Sequence, residues 1–309
     1  MPDRNAESGK NQVHVNDARR FIIIGVCVAL LFSVFVCFCL FTDSTTSTTK
    51  KPSAAAKIEE VQVPAHFAVY ADAIKLADKK IRENSWQMKE SSKVALDNLH
   101  GFFSLPLRQT VSYQQIRVPG DPRDYRKGVH QGIDFYGTKT GDPINAAASG
   151  VVIRIDKAYR PLDKKMRDEL LKLCATKWNG TPGSVGVPCV EEPYGNVLDK
   201  LSGRQVILYH GKNAINEPVI SLYAHLSAVN QSLAQNDFVT TDTIIGYVGN
   251  SGTSGEANHQ ARSENHLHLE LFVGGMYWTP KQASEIGHKQ SNSRETELQK
   301  MVLQELSRL

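Results

Sequence analysis

No stretch of this chain limits its architecture more than Phe21–Phe41, FIIIGVCVALLFSVFVCFCLF, twenty-one residues with no charge and Ser33 as the only hydroxyl. Coiled as an α-helix it is about 31 Å long at about 1.5 Å per residue, close to the thickness of a bilayer's hydrocarbon core. A cleaved leader has an apolar centre of only about 7–15 residues followed by small residues. Here the run exits instead into Thr42-Asp43-Ser44-Thr45-Thr46. The expectation is a retained transmembrane helix over 21–41. Arg19 and Arg20 abut its start, while its far side has Asp43 and no basic residue before Lys50. By the positive-inside rule residues 1–20 form a cytoplasmic tail and everything after the span lies outside the cytoplasm.

Residues 42–64 begin TDSTTSTTKKPSAAA and read as a linker. Between Pro64 and Gly101, the positions Phe67, Tyr70, Ile74, Ala77, Ile81 and Met88 recur at threes and fours, so 65–100 is expected to be a helical stalk. Its stripe either packs on the chain's own domain or serves as a docking surface. Beyond Phe102 the texture changes to short β-like segments between Gly, Pro, Asn and Asp: Ile133–Tyr136, Gly150–Ile155, Gln205–Tyr209, Val219–Ala224, Thr243–Val248 and His266–Val273. The fold class is mainly β, an antiparallel sheet domain over 101–285, preceded by the transmembrane helix and the α-helical stalk. An insertion interrupts it at about 157–193, with a helical piece at Met166–Cys174. The final stretch, 286–309, carries Leu298, Val302, Leu306 and Leu309 among charges, as an amphipathic helix does.

Cys27, Cys37 and Cys39 lie inside the apolar run and read as packing residues. Cys174 and Cys189 bracket a Gly/Pro loop with 14 residues between them, and outside the cytoplasm they are assigned to a disulfide. Closing such a loop is worth about 3 kcal/mol in an entropy-only account. The 36 Lys and Arg against 32 Asp and Glu leave only +4, without a clustered basic face, so a nucleic-acid partner is not expected.

The chemistry lies in three groups: His130 with Asp134 in GVHQGIDFYG, His225 in SLYAHLS, and His266 with His268 in ENHLHLELF. On a strand His266 and His268 project from one face, with Leu267 and Leu269 turned to the other. His130 and Asp134, four apart, also share a side of an extended segment, and Gly132 between them permits close approach of the backbone. Two imidazoles and a carboxylate around zinc leave an open position, the arrangement of a hydrolytic centre. Two further histidines suit proton transfer near neutral pH.

These residues, with Tyr194-Gly195-Asn196, Tyr223-Ala224-His225-Leu226-Ser227 and the Gly-rich turn Gly246–Gly255, resemble the M23 metallopeptidases, the LytM or lysostaphin-like peptidoglycan endopeptidases. His130-Gln131-Gly132-Ile133-Asp134 stands as the family's H-x-x-x-D and His266-Leu267-His268 as its H-x-H. The resemblance implies an M23 (LytM-like) catalytic domain with one Zn2+, held by His130, Asp134 and His268, and catalytic His225 and His266, with the general base unassigned between them. It implies hydrolysis of amide bonds in peptidoglycan cross-links or stem peptides. It further implies a single-pass protein of a bacterial inner membrane with a periplasmic catalytic domain. Two alternatives stand beside it. One is a non-catalytic scaffold that activates another cell-wall hydrolase. The other is a wall-opening component of an envelope-spanning assembly, docked to an envelope protein through the 65–100 helix. The chain departs from the family pattern in its 157–193 insertion, in a smaller one at Leu198–Gly203, and in the loop Glu256–Asn265 with His259. These segments are expected to narrow or cover the groove and to restrain basal activity.

Overall fold

Period-two alternation between 206 and 273 decides how the protein is layered. The computed structural model describes residues 70–84, 102–123, 125, 128–176, 195–213, 215–278 and 292–306. The segments expected as cytoplasmic tail, transmembrane helix and linker, together with Cys189 and the side chain of Cys174, lie outside the described residues. Among the described residues no helix is long and apolar enough to cross a membrane.

The strands are β1 (Ile116–Arg117), β2 (Pro122–Arg123), β3 (Gly128–Val129), β4 (Ile133–Phe135), β5 (Pro143–Asn145), β6 (Gly150–Ile155) and β7 (Val206–Lys212). After them come β8 (Pro218–Ala224), β9 (Leu226–Val229), β10 (Phe238–Val239), β11 (Ile244–Val248), β12 (Leu267–Val273) and β13 (Met276–Tyr277). The helices are α1 (Ala71–Glu83), α2 (Lys164–Thr176), α3 (Gly195–Leu201), α4 (Ser254–Ala257) and α5 (Asn292–Leu306). An eight-stranded sheet runs β1-β4-β12-β8-β7-β6-β10, with β13 also pairing β12; β5-β11-β9 form a second sheet and β2-β3 a hairpin. Every pair is antiparallel. The expected mainly β, antiparallel class is what forms.

Leu267, Leu269 and Leu271 of β12 face one core with Val206, Leu208 and Tyr223, joined by Ile144, Ile245 and Val248 of the second sheet. Leu298, Val302 and Leu306 of α5 close that core, and Gln299 Nε2 donates to Ile116 O at 2.9 Å. The intervening residues point the other way, where Phe272, Ile207, Tyr209, Ile220 and Leu222 lie beneath Ala77 and Ile81 of α1. Burial of such a side chain stabilises by about 1.5–3 kcal/mol. His268 and Glu270 share the parity of Phe272, so the face that α1 covers at one end carries polar groups at the other.

The stripe expected on 65–100 is thus used by the chain itself over the described part. Tyr209 Oη donates to Asp78 Oδ1 at 2.6 Å, and Arg154 Nη1 to Tyr70 Oη at 2.9 Å. The described helix reaches Glu83, and the rest of the expected 65–100 stalk lies outside the described residues. Asn84 caps the helix by donating its backbone N and Nδ2 to Lys80 O, at 3.1 and 2.9 Å, which satisfies a terminal carbonyl locally. Within the insertion, α2 extends the expected Met166–Cys174 helix. Leu162 and Leu170 pack with Val197 and Leu201 of α3 as a small separate core.

Candidate metal centre and active site

Strand register brings the first two site residues together. Asp134 of β4 is paired directly with His268 of β12, so their side chains leave the sheet side by side. His268 Nδ1 lies 2.6 Å from Asp134 Oδ1. His130, one residue past β3, is fixed by its backbone N donating to Asp121 O and its O accepting from Gly120 N, at 2.7 and 2.8 Å. Its Nε2 is 2.9 Å from Asp134 Oδ1 and 3.1 Å from His268 Nδ1. All three residues are buried. Gly132 serves a close approach, but to protein: a Cβ there would stand 2.5 Å from Leu269 O and 2.8 Å from His268 Cε1.

The donor set fits a metal ion. One ligand atom from each of His130, Asp134 and His268 lies within 4.8 Å of the others. Each imidazole is anchored at its outward nitrogen, His130 Nδ1 against Val118 O at 2.9 Å and His268 Nε2 against Glu270 Oε1 at 3.0 Å. Those acceptors assign the N–H outward and leave His130 Nε2 and His268 Nδ1 aimed at Asp134, as in histidine ligands oriented by outer partners. Asp134 Oδ2 is occupied separately: Arg123 Nη2 donates to it at 2.9 Å and Tyr136 Oη at 3.4 Å.

His225 and His266 flank this cluster. His225 breaks the chain between β8 and β9 with φ of 59°, and its N donates to Ser202 O at 2.9 Å. Its ring centroid is 4.7 Å from that of His266 and 5.5 Å from that of His268. His266 stacks on Tyr136 at 4.7 Å, with Nε2 3.5 Å from Asp134 Oδ1. Each ring is again anchored at Nδ1, His225 on Ser251 O and His266 on Glu264 O, both at 2.7 Å. The Nε2 atoms are thereby turned away from the carbonyls, that of His266 toward Asp134.

Burial lowers His130 to about 4 despite the Asp134 carboxylate. Burial, reinforced by His266 and His268, holds His225 well below the ordinary histidine range, so its ring is neutral at physiological pH. For His268 burial is outweighed by hydrogen bonds to Asp134 and Glu270, which raise it to about 9. Burial would raise Asp134, yet the neighbouring His130 and His266 keep it well below the usual carboxylate range. Burial and Asp134 push the Tyr136 phenol up, so it stays a donor. The five residues line one groove of about 710 Å3 with Arg123, Tyr136, Arg167 and Glu270. The four histidines and the aspartate picked from the sequence therefore meet. Glu270, Arg123 and Tyr136 were not assigned roles from the sequence. Glu270 alone carried a signal, since i+2 on a strand shares a face with His268. His259 stands apart in the loop after α4, with φ of 58°.

Residues 190–280 match the family model for Peptidase family M23. Over those residues the chain is similar to the M23 peptidases. The matched segment holds His225, His266 and His268, whereas His130 and Asp134 precede it and join the site through β4. No curated protein matches the chain by sequence. Among solved structures it is similar to a putative M23 peptidase from Pseudomonas aeruginosa, 19% identical with a TM-score of 0.32, covering 69% of this chain and 63% of that one. It is also similar to the catalytic domain of the antimicrobial peptidase lysostaphin from Staphylococcus simulans: 17% identical, TM-score 0.28, covering 60% and 90%. A third is the SpoIIQ-SpoIIIAH pore-forming complex: 17%, TM-score 0.32, covering 64% and 100%. The chain thus spans less than two thirds of the Pseudomonas protein.

Proposed function

We propose that this M23-like domain is a zinc-dependent endopeptidase that hydrolyses amide bonds in the peptides of peptidoglycan. The observation that carries the reading is the convergence of His130 Nε2, Asp134 Oδ1 and His268 Nδ1 beside two imidazoles, His225 and His266, each anchored at Nδ1 on a backbone carbonyl. When bound there, zinc would lower the pKa of a water to near 7 and polarise the scissile carbonyl. His225 and His266 accept a proton at Nε2 and return it to the leaving amine, while Ser251 O and Glu264 O hold their rings in the tautomer that allows it. Tyr136, stacked on His266, fixes that ring's plane. Arg123 and Tyr136 occupy Asp134 Oδ2 and so direct Oδ1 toward the metal.

The apolar run, with Arg19 and Arg20 before it, supports a single-pass anchor in a bacterial inner membrane and a periplasmic domain. The test is metal content of the full chain together with release of labelled peptide from purified peptidoglycan. Zinc near one per chain and chelator-sensitive release are expected; full zinc loading with no release refutes the enzyme. One contact favours the alternative of a non-catalytic scaffold for another hydrolase: the Arg123 guanidinium, 2.9 Å from a carboxylate oxygen of Asp134, opposes a second cation nearby. Zinc-free protein that still activates a partner hydrolase is the outcome which selects it.

A further inference from the structure

Among the described residues, the groove contains one cation that the proposed chemistry does not use. Arg167 projects from α2, in the insertion, into the same groove as the five site residues. Its helix is held there by the small core of Leu162, Leu170, Val197 and Leu201. Arg167 Nε donates to Gly252 O at 3.3 Å, which ties one edge of the guanidinium to the Gly-rich turn. The groove's other guanidinium, Arg123, is engaged by Asp134.

The carboxylates along this groove are already committed to protein donors. Glu270 accepts from His268, and Glu264 Oε2 accepts from Ser254 Oγ and Gly255 N, both at 2.7 Å. Glu264 feels Arg167 electrostatically but is bound to the N-terminal turn of α4. An arginine held at Nε keeps its plane fixed and offers its Nη edge, the geometry that takes a carboxylate through two parallel hydrogen bonds. Leu198 and Leu201 beside it give the groove wall an apolar patch for the adjoining part of a peptide.

We propose that Arg167 is a carboxylate-binding subsite, by which the insertion selects peptide substrates bearing a free carboxylate near the scissile bond. The inference rests on the peptidase reading. It also gives the insertion a role in recognition, in place of the covering role its length suggested.

The carboxylate belongs either to the peptide's C-terminus or to a side chain, and a set of three soluble cross-linked peptides separates the two. One peptide has both carboxylates free, one is amidated at the C-terminus, and one is amidated on the side chain. With zinc-loaded full chain, amidating the recognised group is expected to raise KM about tenfold to a hundredfold, the usual strength of a charge-assisted bond, with little change in kcat. Arg167→Gln is expected to cleave all three alike at the higher KM, with zinc content unchanged. Arg167→Lys, which keeps the charge and loses the fork, is expected to restore part of the preference. If Arg167→Gln slows all three by one common factor and keeps the preference, the residue is a strut for Gly252 and the proposal fails. It fails too if the wild type has no preference. Absence of any cleavage by the zinc-loaded wild type sinks the peptidase reading and this inference with it.

Discussion

Substituting Gly132 by Ala tests how closely the metal cluster depends on the β4–β12 pair. The glycine's own backbone does not demand Gly, since φ lies outside the left-handed region; contact alone makes the argument. The added methyl would meet Leu269 O at 2.5 Å, His268 Cε1 at 2.8 Å and His268 Nε2 at 2.9 Å. Reaching even 3.0 Å from the carbonyl asks for a displacement of at least 0.5 Å (3.0 minus 2.5), and that oxygen belongs to the backbone of a central strand. Ligand distances in a metal site tolerate about 0.2 Å, so His268 cannot keep both its Asp134 and Glu270 partners. The expected costs are about 1–3 kcal/mol of stability from overpacking and a 10–100-fold loss of zinc affinity, as for disturbed outer partners of a metal ligand. Denaturant unfolding of the metal-free protein and zinc competition against a chromophoric chelator read the two effects separately. Gly141→Ala is the control. Its φ is 92° with nothing within 4 Å of the new methyl, so it loses stability through backbone strain and leaves zinc affinity alone. Zinc affinity of Gly132→Ala within twofold of wild type would refute the reasoning.

Three further outcomes are expected. His225→Ala and His266→Ala should retain zinc and lose about 10²–10⁴ in turnover, while His130→Ala and Asp134→Ala lose the metal; metal analysis and kinetics on the four proteins check this division. Zinc binding should release a proton. His268 is raised to about 9, so below that pH the ring carries the proton that zinc must displace, and the apparent affinity should weaken about tenfold for each unit of pH lost; calorimetry in buffers of different ionisation enthalpy counts the proton. Acid stability should depend on His210, whose Nδ1 donates to Ser149 O at 2.9 Å. Burial lowers it to about 4 from an ordinary 6.5, so the unfolded chain binds more protons between those values. Stability is then complete above about 6.5 and falls by up to about 3 kcal/mol as pH drops toward 4; His210→Gln should flatten that slope in unfolding titrations.

What the sequence disclosed follows from how far each interaction reaches along the chain. Alternation in β6, β7, β8 and β12 is local, and those strands lie within one residue of where the pattern put them, except that β7 runs three residues further, to Lys212. Leu267 and Leu269 turn into the core as expected, which leaves His268 facing the groove. The pairing of Asp134 with His268 is 134 residues distant in sequence, so it came from resemblance and not from spacing. The anchors of His225 and His266 are backbone carbonyls of Ser251 and Glu264, which have no side-chain signature to read. Arg123 sits on a two-residue strand too short for periodicity to register. The stripe on α1 was visible, but an amphipathic stripe does not name its partner; the sheet face of Ile207, Tyr209 and Phe272 covers it. His210 escaped notice because nothing around it in the sequence marks it apart from an ordinary strand residue.

The central claim is that His130, Asp134 and His268 hold a zinc ion at which this domain cuts the peptides of peptidoglycan. The most direct measurement is mass spectrometry of the fragments released from purified peptidoglycan by zinc-loaded full chain, alongside a chelated sample and His225→Ala. The account predicts peptide fragments with a new amine and a new carboxylate at an amide bond, absent with chelator, restored by zinc and absent with His225→Ala. Fragments unchanged by chelation, or none from protein carrying one zinc per chain, would contradict it.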